Sequence, residues 1–228
     1  KPFIEGVKNA LRALRRGGLV RQLVSRPAEL VPAARVRRRR LDDLPIGKEF
    51  NWVDKVSIEL TTMTLATLFD FPWEDRRKLA GWSDVATAAP DSGLFSSTDP
   101  EIADQERRAE LFQCVDYFMN LWNERVNAPP AGDLISMLAH GESTRNMDRM
   151  EYLGNLILLI VGGNDTTRNS ISGSVLALHQ NPEQNAKLRA NHDLIPSMVS
   201  ETIRWQTPLA YMRRTATCDV EIRGKTIK

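Results

Sequence analysis

Apolar residues recur at helical spacing along most of the chain beyond Leu41. Between Phe50 and Phe69, Val53, Val56, Ile58, Leu60, Leu65 and Leu68 fall mostly on one face, which predicts a helix. Phe71-Pro72 closes it, because proline disfavours a helical residue before it. Trp73-Glu74-Asp75 opens a second helix, with acids at its dipole end and Leu79, Trp82 and Val85 on its apolar side. Residues 88–100 are rich in Ser, Asp, Pro and Gly and read as a loop. A long amphipathic helix follows, carrying Leu111, Val115, Phe118, Leu121 and Trp122. Ala128-Pro129-Pro130-Ala131-Gly132 breaks it, and Asp133 suits the N-cap of a short helix from Leu134 to Ala139. The longest helix is expected from about Asp148 to Gln180. A further one is expected from about Leu194 to Trp205, with Ile195, Met198, Val199 and Ile203 on one face. Strand alternation is confined to the end, where Val220 and Ile222 precede a turn at Arg223-Gly224 and a return through Thr226-Ile227. The class expected is mainly α, with the start of a small β-sheet.

Composition narrows the function classes. The chain has 228 residues with 42% hydrophobic content, which favours a globular domain over disorder. Two cysteines, Cys114 and Cys218, exclude a disulfide scaffold and fit a cytoplasmic setting. No apolar run approaches the length of a membrane span, so stable membrane insertion is not expected. The three histidines, His140, His179 and His192, are dispersed without ligand spacing, so no metal ligand is assigned. Charge is uneven. Residues 1–40 hold two Lys and ten Arg against two Glu, while the whole chain carries only +2. This basic segment, ending in Arg37-Arg38-Arg39-Arg40, reads as a phosphate-binding arm, a solvated helix face, or a stretch brought in by a frameshift or primer.

The candidate chemistry sits inside the longest helix. Leu156 to Val161 is uninterruptedly apolar and runs into Gly162-Gly163-Asn164-Asp165-Thr166-Thr167. These are poor helix formers, with each Gly costing about 1 kcal/mol relative to Ala. A helix written against its own propensity points to a tertiary purpose. Adjacent glycines let something flat lie against the backbone and allow a bend. Asp165 and Thr166 then place an acid and a hydroxyl beside that opening. The plainer reading is a helix crossing at Gly162-Gly163, with Thr166 bonded back to a carbonyl one turn earlier. Farther on, Glu201-Thr202-Ile203-Arg204 spaces an acid and a base at i, i+3 on one helix face, a weak signal alone.

Taken together and in order, these segments resemble the cytochromes P-450. Gly162 to Thr167 is similar to the long central helix of that family, and Glu201-Thr202-Ile203-Arg204 to its Glu-x-x-Arg helix. Trp205-Gln206-Thr207-Pro208, Arg214 to Glu221, Phe71 to Arg77 and Pro130 to Ile135 continue the likeness. Leu41 to Gly47, Phe50 to Asp54 and Val161 to Ser170 resemble the soluble bacterial alkane hydroxylases, the branch numbered 153 in the family's scheme. The resemblance covers 41–228, which is expected to be the central part of one cytochrome P-450 domain, truncated at both ends. Residues 1–40 do not share it.

The resemblance implies a haem b cofactor held by a cysteine thiolate that this chain does not carry, so the segment alone is expected to be inactive. It implies a monooxygenase that inserts one atom of O2 into a C–H bond, with medium-chain alkanes or fatty acids hydroxylated at the terminal carbon. Thr166 is implied to hold a hydrogen bond at the oxygen site and Asp165 to feed protons to it, while Gly162 and Gly163 give the cofactor room. Arg214, or its neighbour Arg213, is implied to pair with a haem propionate. Pro208, Leu209, Ala210 and Met212 are implied to line the path of an apolar substrate, and the 88–100 loop to be part of its lid. Glu201 and Arg204 are implied to be structural. Electrons would come from a ferredoxin and an NAD(P)H-dependent ferredoxin reductase, with no nucleic-acid partner. Two rival readings stand beside this one. One is an all-helical nucleic-acid-binding regulator with an Arg-rich arm. The other is a non-catalytic helical protein that binds apolar ligands.

Overall fold

The computed structural model describes residues 44–45, 47–211 and 216–228. The expectations for residues 1–40 and for Met212, Arg213 and Arg214 lie outside the described residues. The rest forms seven α-helices and a hairpin: α1 (Glu59–Phe69), α2 (Arg77–Thr87), α3 (Pro100–Val126), α4 (Leu134–His140), α5 (Arg149–Gln180), α6 (Pro182–Ala190), α7 (Ile195–Gln206), β1 (Val220–Ile222) and β2 (Lys225–Ile227). This is the mainly helical class expected, in the order expected.

Local chemistry explains the boundaries. The helix over 53–69 begins as a π-helical turn at Val53–Ile58 and tightens into α1, ending where Asp70 turns left-handed at φ 48°. Trp73–Asp75 forms a 3₁₀ turn before α2 rather than its first α-helical turn. The Asp99, Asp133 and Asp148 side chains accept backbone N–H bonds at the starts of α3, α4 and α5, satisfying donors that no preceding turn can. Helix α6 was not anticipated from the sequence. Asn181-Pro182 starts it with proline in its first turn, but no residue in it is buried, so it has no apolar stripe to read. The hairpin pairs antiparallel, Val220 opposite Ile227 and Ile222 opposite Lys225, with Gly224 at φ 73° in the turn.

Helix α5 is the axis. Helices α1, α2, α3, α6 and α7 all pack on it. Its first half supplies Tyr152, Leu153, Leu156, Ile157 and Ile160 to the core, against Leu65 and Phe69 of α1, Leu79 and Trp82 of α2, and Val115 and Phe118 of α3. Phe71 stacks on Tyr117 with ring centroids 5.0 Å apart, and Phe69 meets Phe118 edge-on at 5.3 Å. The buried Glu59 carboxylate joins the starts of α1 and α2, taking bonds from Arg76 at 3.0 Å and Arg77 Nε at 2.8 Å. Burial alone would raise the pKa of Glu59, but the two guanidiniums outweigh it and hold the pKa below the ordinary value.

That depressed pKa makes Glu59 a source of stability present above the ordinary glutamate value of about 4.3 and lost as pH falls through its lower folded value. Glu59→Ala leaves Arg76 largely buried without its partner, and is expected to cost about 3 kcal/mol at neutral pH and much less in strong acid. Urea unfolding of both proteins across the acid range measures this; a constant difference would remove Glu59 from the acid response.

Candidate active site

Helix α5 runs unbroken through its glycines, so the motif is presented on a continuous helix rather than on an opened one. The two glycines do different things. A Cβ on Gly162 would meet nothing within 4 Å, whereas one on Gly163 would lie 2.6 Å from Leu65 Cδ2. Gly163 therefore serves the crossing with α1, the plainer reading of the pair, and Gly162 borders open space. Asn164 is fully buried and accepts a bond from Thr61 Oγ1 at 2.7 Å; its Nδ2 has no hydrogen-bond partner among the described residues. Farther along, Ser57 and Ser172 share a bond of 2.9 Å across the same crossing.

Thr166 donates from Oγ1 to Gly162 O at 3.0 Å, the bond back to the preceding turn that the plainer reading expected. The same residue lines a cleft of about 360 Å³ between α5 and α7, whose walls include Ile171, Met198, Val199, Ile203 and Pro208. The site is thus an apolar cleft bordered by a few hydroxyls, Thr166 among them. Asp165 turns elsewhere. Its Oδ1 accepts from Arg168 at 2.7 Å, and the same Arg168 nitrogen reaches Asp84 Oδ1 on α2, also at 2.7 Å. Sequence reasoning missed both partners. Arg168 stands at i, i+3 from Asp165, the spacing that singled out Glu201 and Arg204, so it was legible; Asp84 is a nonlocal contact and was not.

Chain reversal after α7 occurs at Thr207, held left-handed at φ 44°, and brings Pro208 to the cleft. Leu209 and Ala210 follow it, exposed, and neither is among the cleft-lining residues. Glu201 and Arg204 do pair, with bonds of 2.7 and 2.6 Å, but their side chains are 58% and 66% exposed. The i, i+3 pairing expected from the sequence is thus present, and it is solvated in this chain. Glu201 borders a larger groove of about 780 Å³ between α5, α6 and α7. The apolar face of α7 is likewise uncovered, with Ile195, Val199 and Ile203 exposed. Cys114 is buried and burial pushes its thiol pKa up, which makes it inert, while Cys218 is exposed. Among the described residues, no group of three or more His, Cys, Asp or Glu is placed to hold a metal ion. No described helix is long and apolar enough to cross a membrane.

This arrangement of helices around a long glycine-containing axis has close counterparts among solved and characterised proteins. CYP153D17 from Sphingomonas sp. PAMC 26605 is similar at 49% identity and a TM-score of 0.75, over 94% of this chain and 54% of that one. Linalool 8-monooxygenase of Pseudomonas putida is 31% identical over 89% of this chain and 49% of its own length. The biotin biosynthesis cytochrome P-450 of Bacillus subtilis (strain 168) is 34% identical over 82% of this chain and 46% of its own. No protein-family model matches. The chain belongs to the cytochrome P-450 family, as a homologue of its monooxygenases. It spans about half the length of the curated relatives it matches.

The glycine pair gives a direct test of the site's geometry. Gly162→Ala meets no atom and gains helix propensity, so it is expected to stabilise the protein by up to about 1 kcal/mol. Gly163→Ala pushes Leu65 aside and is expected to cost about 1–3 kcal/mol. A Leu65→Ala partner would make Gly163→Ala harmless. Thermal unfolding of the four variants checks the assignment, and equal effects at the two glycines would refute it.

Proposed function

We propose that the full-length protein carrying this segment is a haem-dependent monooxygenase that hydroxylates medium-chain alkanes or fatty acids, with preference for the terminal carbon. The observation that carries the reading is Thr166, a hydroxyl on the wall of an apolar cleft, one turn from a glycine that borders open space. Those residues fit a flat apolar cofactor lying against α5, with Gly162 and Thr166 on the facing side. Haem, when bound, supplies the activation of O2. The propionate partner proposed from sequence is Arg214, and Leu209, Ala210 and Met212 are proposed to line the substrate path in the longer protein. Glu201 and Arg204 keep the structural role proposed for them, closing a charge network in the longer protein.

What this chain's own residues do is bind, exclude water and handle protons. Thr166 Oγ1 exchanges its bond to Gly162 O for one to an oxygen or water in the cleft. Asp165 resupplies that position with protons, a form of assistance worth roughly 10²–10⁴-fold. The walls from Met198, Val199 and Ile203 carry no charge, which suits a linear apolar chain. The 88–100 segment, read from sequence as a loop, is tied to α3, with Glu106 bonded to Ser96 and the Arg107 guanidinium over the Phe95 ring at 5.0 Å, and is proposed as part of the substrate lid. Electrons are proposed to come from a ferredoxin and an NAD(P)H-dependent ferredoxin reductase, in the cytoplasm.

Thr166→Ala and Asp165→Asn separate the two roles. Thr166→Ala keeps the helix, since Ala is the better helix former, and is expected to bind haem and accept electrons normally while peroxide replaces product. Asp165→Asn is expected to slow turnover by at least about 10-fold and to enlarge the solvent isotope effect. Cofactor consumed, peroxide formed and product formed, measured side by side, decide between them; tight coupling in Thr166→Ala would sink the assigned role. Product analysis with linear alkanes and fatty acids tests the substrate class, and turnover of bulky ring compounds alone would count against it.

A further inference from the structure

Arg168 is a shared cation. A single guanidinium nitrogen donates to Asp165 on α5 and to Asp84 on α2, both at 2.7 Å. The Arg168 side chain is only 14% exposed, so solvent is a poor substitute for either carboxylate. Burial acts to lower the pKa of Arg168, but Asp84 and then Asp165 outweigh it and hold it above its ordinary value. The cation is therefore permanent, and its position is set by the two acids together. Of these, Asp84 stands on the firmer base. The end of α2 is pinned by Arg107 of α3, which donates to Val85 O at 3.2 Å and Ala88 O at 2.7 Å. Among the described residues, the Asp165 carboxylate accepts one other side-chain hydrogen bond, a long one of 3.5 Å from Asn169 Nδ2.

We propose that Asp84 is a positioning residue for Asp165, acting through Arg168: it anchors the guanidinium to α2 and so fixes where the Asp165 carboxylate sits beside Thr166. The kinetic consequence rests on the reading of Asp165 as the proton carrier. With Asp84 present, Arg168 divides its charge between two carboxylates and Asp165 stays held in place yet exchangeable. Without it, the i, i+3 pair on α5 has the cation to itself, and Asp165 is gripped more tightly and drawn away from the cleft. Loss of Asp84 therefore impairs the same step as loss of Asp165, although Asp84 touches neither cleft nor substrate.

The test uses the full-length haem protein with Asp84→Asn, Asp165→Asn and the double variant, each with and without Arg168→Gln. Two readouts are taken: chemical unfolding, and turnover with its solvent isotope effect. Unfolding effects of the two Asp variants are expected to be non-additive, with the coupling gone in Arg168→Gln. Turnover is expected to fall about threefold to tenfold in Asp84→Asn with a raised isotope effect, to be no lower in the double variant than in Asp165→Asn alone, and to recover in Asp84→Glu. An additive unfolding cycle overturns the proposal whatever the kinetics, and so does a double variant slower than Asp165→Asn. Normal turnover in Asp165→Asn overturns the proton-carrier reading instead, and the unfolding cycle then still decides whether Asp84 positions Asp165.

Discussion

The crossing of α1 on α5 is the constraint on which the rest depends. It is made by an absence and a bond: Gly163 has no side chain where Leu65 seats, and buried Asn164 accepts from Thr61. With Nδ2 of this buried amide already unpaired among the described residues, losing the Thr61 bond would leave its oxygen unmet as well, at a further cost of about 1–3 kcal/mol. That bond therefore fixes the rotation of α5 about its own axis. Once rotation is fixed, 3.6 residues per turn decides everything else on the helix. Thr166, two residues beyond Asn164, lies about 160° round and meets the α7 cleft, while Asp165 and Arg168 fall on the flank that meets α2.

The same axis divides the molecule unequally. The first half of α5 packs against α1, α2 and α3 and carries the helix's own buried apolar side chains, the last of them Ile160. Its second half is only partly covered, α6 and α7 bury no residue, and the hairpin is exposed throughout. The motif begins where that core stops. A structural helix would continue its apolar stripe here; this one changes to glycine, amide, acid and hydroxyl, and borders clefts instead. Stability and candidate chemistry are thus placed end to end on one helix, and the poor formers of the second stretch are carried by the packing of the first.

Much of the fold was legible because it rests on local rules. Apolar period located α1, α3, α5 and α7, and Asp133 announced α4 as its N-cap. The hairpin was readable from Arg223-Gly224, where the turn needs positive φ at both residues. What escaped had no local signal. Helix α6 lacks an apolar stripe, and the π-helical entry to α1 shares the α-helix's composition. The division of labour between Gly162 and Gly163 depends on which side α1 approaches from, a fact of tertiary packing. The site was legible as a set of residue types, acid beside hydroxyl, but not as a geometry. Asp84 lies 81 positions before Asp165 and no spacing rule reaches it.

That geometry bears on the chemistry proposed for the motif. Consecutive residues on an unbroken helix point about 100° apart, so Asp165 and Thr166 cannot both face the cleft. The acid is held on the α2 flank by Arg168 and the hydroxyl rests on Gly162 O. Under the proposed function a proton leaving Asp165 has to turn a corner of the helix before it reaches Thr166. A bridging water or a rotation of the Asp165 side chain supplies that turn, and each needs the Arg168 grip to be firm without being exclusive. A cation divided between two carboxylates meets that requirement better than a simple pair. The acid's usefulness is then set as much by α2, which shares its counter-ion, as by the helix that carries it.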